Sequence, residues 1–208
     1  MSQSTKKPKF NIIKSDSEPV PPSPEENIKR NLDDCIKWTK TKPDEPKKTK
    51  DKTIEQQKRE EKEKEKKWGN SMICQTNNGQ WTTKLGELLV FIILQLRGEN
   101  PRKVKRKNGL QPDWETDNYI YEVKTSNWCV GGTAGEKVLG TWIKYQDVPE
   151  IYGKPLRIVC VANQEYELEF GKTPFFGEKV TEKTKKILEL AKLWNIEYMR
   201  FSDLINYK

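Results

Sequence analysis

The stretch Gly109–Trp128, GLQPDWETDNYIYEVKTSNW, decides the fold that this sequence predicts. Side chains in Tyr119–Thr125 alternate between two sets, as they do on opposite faces of a β-strand. Asp117 and Asn118, which come just before it, are residues typical of tight turns. The stretch therefore predicts a β-hairpin in which Gln111–Glu115 pairs with Tyr119–Thr125.

Pairing of these strands brings Asp113 close to Glu122 and Lys124, which share one face of the second strand. An ion pair would account for Lys124 and one carboxylate, but it leaves the other carboxylate without a counter-ion. Mg²⁺ would supply that charge, because it binds one or two carboxylates together with water and phosphate oxygens. Asp113 and Glu122 are thus the predicted metal ligands, and the backbone carbonyl of Val123 is a candidate third oxygen. Lys124 is predicted to orient or help deprotonate a water molecule, or to contact a phosphate.

Composition excludes several other chemistries. The chain has 208 residues and no histidine, which rules out Ser-His-Asp triads and zinc sites with imidazole ligands. Its four cysteines are far apart and form no CxxC pair, as expected for reduced thiols in a soluble intracellular protein. No apolar run approaches the roughly 20 residues that a membrane-spanning helix needs, so no membrane partner is expected.

Alternating helix and strand signals surround the hairpin, and they predict an α/β fold. Trp81–Arg97 reads as a buried helix that carries one acidic residue, Glu87. The later signals are a helix, a buried strand, a second helix and a last strand, at Glu136–Tyr145, Pro155–Val161, Thr181–Trp194 and Ile196–Phe201. The expected architecture is a mixed central sheet flanked by helices on both faces.

Pro112-Asp113, eight intervening residues and then Glu122-Val123-Lys124 resemble the motif of the PD-(D/E)XK nuclease superfamily. Within it, the chain resembles a small type II restriction endonuclease over roughly Trp68–Leu204, and residues 68–208 are the predicted catalytic domain. The resemblance implies a restriction-endonuclease-like core in which Asp113 and Glu122 bind Mg²⁺, or Mn²⁺ in its place, and Lys124 is catalytic. It makes Glu87 a further catalytic residue, as an outer or second-metal ligand.

The resemblance also implies double-stranded DNA as the substrate. Cutting both strands would need two active sites, hence a homodimer, or else sequential nicking. The net charge is +8, and Arg97–Lys107 contains six basic residues and one acidic residue, as expected for phosphate contacts. Candidate DNA-binding residues are Arg102, Lys103, Lys105, Arg106, Lys107, Thr133, Lys137, Lys144 and Gln164.

Residues 1–67 differ in composition from the rest, being rich in Lys, Glu, Pro, Ser and Thr. Such a segment buries little apolar surface, so it is expected to be a charged tail that is largely disordered or loosely helical. Two parts of it, Asn27–Trp38 and Ile54–Lys67, have helical patterns.

Three functions remain open from the sequence. The first is a sequence-specific, Mg²⁺-dependent DNA endonuclease. The second is a repair, recombination or junction-resolving nuclease of the same fold. The third is a nucleic-acid-binding protein without enzymatic activity, in which the carboxylates are structural.

Overall fold

A computed structural model of the chain describes residues 21–76, 79–129 and 138–206. This part of the chain is an α/β structure with an open, mixed sheet of five strands. The strands are β1 Arg102–Lys103, β2 Trp114–Glu115, β3 Ile120–Ser126, β4 Leu156–Ala162 and β5 Ile196–Arg200.

Nine helices accompany the sheet in the described residues. They are α1 Pro24–Arg30, α2 Leu32–Lys40, α3 Ile54–Met72, α4 Trp81–Leu96, α5 Thr141–Lys144, α6 Val148–Tyr152, α7 Asn163–Phe170, α8 Glu182–Leu193 and α9 Phe201–Ile205. No helix among them is long and apolar enough to cross a membrane. The helix predicted over Glu136–Tyr145 lies partly outside the described residues, and α5 covers its end.

The strands lie in the order β1-β2-β3-β4-β5, antiparallel from β1 to β3 and parallel from β3 to β5. In the predicted hairpin, which is confirmed, Trp114 pairs with Tyr121 and Glu115 with Ile120. Its first strand is shorter than predicted, since β2 has only 2 residues. β3 has 7 residues and lies at the centre of the sheet, between β2 and β4.

Both faces of the sheet are covered, and successive residues of the central strands point alternately to the two. We call one side the α4 face, where Tyr121 and Val123 of β3 pack with residues of α4. We call the other the α8 face, where Ile120 of β3 packs with residues of β4, β5 and α8. The alternation places Glu122 and Lys124 on the α8 face.

A close approach between α4 and β3 depends on Gly86. A Cβ atom at this position would lie 1.8 Å from Oγ1 of Thr125, so only glycine allows the helix to lie this near the strand. The contact fixes the position of the next residue, Glu87, relative to the hairpin. Gly69 likewise allows α3 to lie close to α4, because a Cβ atom at this position would lie 2.1 Å from the ring of Trp81.

The described part of the N-terminal segment is helical and packs on the core. Ile28 and Cys35 are both 0% exposed within the core cluster on the α4 face. The ring of Trp38 lies 5.5 Å from that of Trp68 and 5.9 Å from that of Trp81. This differs from a largely disordered or loosely helical tail, because a few apolar residues in a charged segment suffice to dock it. The predicted boundary at residue 67 falls inside α3.

Candidate active site

Asp113 lies just before β2, directly opposite Glu122 of β3. Its backbone N–H donates to the carbonyl oxygen of Tyr121 at 3.0 Å, which continues the antiparallel pairing by one residue. Its side-chain Oδ2 accepts a hydrogen bond of 2.7 Å from the N–H of Val123. The Asp113 carboxylate is therefore held at the strand that carries Glu122. The carbonyl of Val123 was the predicted third metal ligand. The contact between Val123 and Asp113 in the structure is made by the N–H of Val123.

Glu122 and Lys124 contact each other on the α8 face, as two residues one pleat apart can. Nζ of Lys124 lies 2.5 Å from Oε1 of Glu122. Glu122 is only 4% exposed, and its second oxygen, Oε2, is buried with no hydrogen-bond partner among the described residues. A buried carboxylate oxygen without a donor is unfavourable, and it marks a place where a cation would be bound well.

The pKa of the Asp113 carboxyl is raised to about 7, mainly because the group is buried. The negative charges of Glu122 and Glu87 raise it further, while the Val123 N–H and the Lys103 ammonium lower it. Carboxylates that repel one another in this way show that the site holds too little positive charge. Perturbed acids of this kind cluster at functional sites.

Glu87 approaches the same place from α4, where Gly86 sets the helix against β3. Its Oε2 lies 3.1 Å from Nζ of Lys103 in β1, and its backbone oxygen accepts a 2.9 Å bond from the indole of Trp114. The Lys103 ammonium also lies 4.0 Å from the centre of the Trp114 ring. Glu87 thus forms an ion pair with Lys103 beside the hairpin.

A metal ion would fit this site through two carboxylates. Asp113 and Glu122 are close enough to raise the pKa of Asp113, and Glu122 Oε2 is without a partner. No group of three or more Asp, Glu or Cys side chains in the described ranges could hold a metal ion by itself. Two carboxylates that leave the other positions to water and phosphate match the way Mg²⁺ is usually bound. The structure does not bring Glu87 into a common ligand set with them.

The predicted DNA-contacting residues of the basic loop lie at the sheet edge next to the site. Arg102 forms ion pairs of 3.1 Å with both Glu115 and Asp117. Lys107 lies over the ring of Tyr152 at 4.7 Å. Lys105 and Arg106 are exposed and have no side-chain partner among the described residues. These two cations are the ones most available to an external phosphate.

The other predicted DNA-binding residues lie outside the described residues, at the surface or inside the protein. Thr133 and Lys137 lie outside the described residues. Lys144 is exposed and donates to the phenol oxygen of Tyr145 at 3.2 Å. Gln164 is the second residue of α7 and is 3% exposed, so its amide lies inside the protein and is not presented to a base edge at the surface.

Two residues, one on the face of the candidate site and one at the segment after β3, were not predicted from the sequence. Tyr145, at the end of α5, is 5% exposed and lies on the same face as Glu122. Glu65 of α3 accepts hydrogen bonds from the backbone N–H groups of Trp128 and Cys129, 2.8 and 3.0 Å long, in the segment that follows β3. Neither has a local sequence signal, because each meets its partner through long-range packing.

Comparison of the chain with protein-family models, with curated proteins and with solved structures gave no match. The resemblance to PD-(D/E)XK nucleases stays a prediction from the motif of the hairpin and the order of helices and strands around it.

Proposed function

We propose that this protein is a Mg²⁺-dependent endonuclease that hydrolyses phosphodiester bonds of double-stranded DNA at a specific sequence. The observation that supports this most strongly is the Asp113–Glu122 pair. A half-buried carboxylate with a raised pKa, that of Asp113, opposes the buried carboxylate of Glu122, which has an unpartnered oxygen. Lys124 contacts one of them directly. This is an arrangement that favours binding a divalent cation beside an ammonium group.

Each residue of the hairpin has a role in the proposal. Asp113 and Glu122 would hold Mg²⁺, for which Mn²⁺ can substitute. When bound, the ion supplies Lewis-acid stabilisation of the charge that develops on the phosphoryl oxygens. Lys124 uses one N–H to donate to Glu122 and keeps two others for a phosphate oxygen or a water molecule. It is therefore placed to hold the attacking water or the scissile phosphate.

Burial of the site contributes to catalysis. Glu122 is 4% exposed, so charges around it act in a medium that screens them less than bulk water does. The N–H of Val123 holds the Asp113 carboxylate in place before substrate arrives. A carboxylate fixed in this way does not need to reorganise during the reaction, which lowers the barrier.

DNA as the substrate is supported by charge. The protein has a formal net charge of +8, and the exposed Lys105 and Arg106 lie in the loop that follows β1, the strand of Lys103. Exposed cations in such a loop can bind the phosphates that flank a cleaved linkage. Because the described residues form one such site and a duplex has two strands, the proposal includes a homodimer, or sequential nicking by one protomer.

The decisive experiment is incubation of supercoiled and linear plasmid with the protein, in Mg²⁺ and in EDTA. Wild type is expected to give discrete fragments in Mg²⁺ only. Lys124→Ala is expected to lower the cleavage rate about 100-fold or more, as loss of a proton-transfer or charge-stabilising group does. The matched control is Lys154→Ala, which removes the Lys154–Glu115 ion pair of 2.6 Å at the other end of the same hairpin.

Circular dichroism must show that both variants remain folded. Equal loss in Lys154→Ala and Lys124→Ala would mean that the hairpin needs its ion pairs only for stability. Cleavage that persists in EDTA would contradict metal dependence. Preference for a branched substrate over any linear sequence would replace sequence-specific cleavage by a junction-resolving activity of the same site.

A further inference from the structure

The connection between β1 and β2 forms a second, smaller hairpin, Val104–Gln111, which we call the tip hairpin. The N–H of Lys107 donates to the carbonyl oxygen of Leu110 at 3.0 Å, and the N–H of Leu110 donates back at 2.9 Å. The two residues between them, Asn108 and Gly109, have φ values of 49° and 80°. Positive φ at both central residues is typical of a type I′ turn, which matches the twist of a two-stranded ribbon. The tip hairpin is therefore a tightly turned ribbon.

The base of the tip hairpin is anchored to the core. Val104 is 2% exposed and lies in the core cluster on the α8 face. The hydroxyl of Tyr152 lies 2.8 Å from the carbonyl oxygen of Lys105 and 3.0 Å from that of Leu110, so it bridges the two arms. The side-chain amide of Gln111 donates to the carbonyl oxygen of Val104 at 3.1 Å. These contacts hold the tip hairpin in one orientation before a ligand binds.

The end of the tip hairpin projects into solvent, because every residue from Lys105 to Gly109 is exposed. Residues 100–112 include five basic residues and no acidic one. The side-chain amide of Asn108, in the turn itself, has no hydrogen-bond partner among the described residues. A rigid cationic ribbon with a free amide at its end suits a polyanion that also has hydrogen-bonding edges, as duplex DNA does.

The dimensions of duplex DNA match the tip hairpin. The major groove of B-DNA is about 12 Å wide and admits a two-stranded β-ribbon. Asn108 precedes the proposed metal ligand Asp113 by five residues, a separation that an extended chain spans in at most ~18 Å. With one base pair every ~3.4 Å, the turn lies within about five base pairs of a linkage bound at the metal site.

We propose that the tip hairpin enters the major groove of duplex DNA and that Asn108 reads an adenine there. This inference rests on the proposed function and adds to it a residue that selects the sequence. The amide of asparagine matches adenine, because its NH₂ group donates to N7 while its oxygen accepts from the N6 amino group. Lys105 and Arg106, just before the turn, bind phosphates and position the tip hairpin in the groove.

The test compares the sequences that wild type and Asn108→Gly cut, read by sequencing the ends of plasmid fragments produced in Mg²⁺. Glycine adopts positive φ without strain, so this variant keeps the turn and loses only the amide. Wild-type sites should share an adenine within about five base pairs of the cut. Other bases at that position should be cleaved about 10-fold more slowly by wild type, and Asn108→Gly should lose this preference.

The matched control is Asn118→Gly, at an exposed asparagine in the turn between β2 and β3. It should cut the same sequences as wild type. Asn108→Asp is a second variant of the tip, because aspartate also tolerates positive φ while its carboxylate cannot donate to N7. It should lose the preference for adenine as Asn108→Gly does. Circular dichroism must show that the variants remain folded.

A second comparison asks whether Asn108 acts through N7 of that adenine. Replacing the base by 7-deazaadenine removes the N7 acceptor and leaves base pairing intact. Wild-type cleavage should fall about 10-fold, whereas cleavage by Asn108→Gly should not change, because its partner group is already absent.

The outcomes separate this inference from the proposed function. The same sequence preference in wild type and Asn108→Gly, or an equal loss of both proteins' activity on 7-deazaadenine, would overturn the inference and leave the proposed function intact. Mg²⁺-dependent cleavage without any sequence preference would overturn the inference and leave phosphodiester hydrolysis at the metal site. No cleavage by folded wild type would overturn both.

Discussion

Two half-buried acidic sites on either side of β3 show how similar residues come to have different roles. Glu65 receives three N–H donors, from the indole of Trp38 at 2.9 Å and from the backbone of Trp128 and Cys129. Asp113 and Glu122 face each other and share few donors, and one oxygen of Glu122 has none among the described residues.

The difference lies in how the negative charge is compensated. A carboxylate whose oxygens are saturated by N–H donors is stable as it stands and stabilises the loop that it holds. A pair of carboxylates without enough donors is destabilising until a cation binds. We therefore interpret Glu65 as a structural residue and the Asp113–Glu122 pair as a binding site.

The largest expected difference between the two sites is in stability. Glu65→Ala leaves three donors without their acceptor and should lower the free energy of unfolding by about 3 kcal/mol. Urea unfolding followed by tryptophan fluorescence measures this. Glu63→Ala, an exposed position on the same helix, is the control and should have almost no effect. An equally small change in Glu65→Ala would remove the distinction between the sites.

Asp113→Asn should have the opposite effect and raise the free energy of unfolding. The pKa of Asp113 is raised from 3.8 to about 7, so the folded state retains a proton that the unfolded chain has already released between those values. Wild-type stability in EDTA therefore falls as the pH rises through this window, and the full penalty is present above it. Asp113→Asn lacks the penalty and should exceed wild type by about 2 kcal/mol at pH ~8, but by little at pH ~4.

Urea unfolding at the two pH values checks this prediction. Asp117→Asn, at an acid of the same hairpin that is 76% exposed, serves as the control and should show no comparable gain. A gain in Asp113→Asn that does not depend on pH would mean that the substitution stabilises the hairpin for another reason.

Gly86→Ala tests whether the close contact of α4 with β3, the strand of Glu122, is required for stability. The added Cβ would lie 1.8 Å from Oγ1 of Thr125, so α4 must move away from β3. Overpacking of this kind should cost about 1 to 2 kcal/mol in thermal unfolding. Gly140→Ala is the control, because a Cβ at Gly140 meets nothing within 4 Å. An unchanged unfolding temperature would show that the close contact is not required.

The smallest expected effect concerns the exposed loop cations. The double variant Lys105→Glu and Arg106→Glu should weaken DNA binding and reduce the dependence of log affinity on log salt concentration by about 2. Fluorescence anisotropy with a labelled duplex in Ca²⁺ measures this. Lys183→Glu and Lys186→Glu, on α8, make the matched control. Equal losses in the two double variants would indicate attraction to the overall charge, with no local contact.

Local patterns made much of the fold predictable. The alternation in Tyr119–Thr125 and the turn before it specify the hairpin, and the apolar run after Trp81 specifies α4, because both signals lie within one element. The same hairpin brings together Asp113, Glu122 and Lys124, and this part of the candidate site was therefore accessible from the sequence.

Long-range packing was not predictable in the same way. Composition made residues 1–67 look like a tail, whereas docking of α1 and α2 depends on Ile28 and Cys35 meeting a core formed much later in the chain. Tyr145 comes to lie on the α8 face only through the packing of its ring in the core cluster there. No spacing in the sequence encodes either contact.

Calorimetric titration of Mn²⁺ into the metal-free protein tests most directly whether Asp113 and Glu122 form a divalent-cation site. Wild type should bind Mn²⁺ with release of protons near neutral pH, and Asp113→Asn should lose most of that binding while remaining folded. Equal binding by wild type and Asp113→Asn, or no binding by a folded wild type, would contradict the claim.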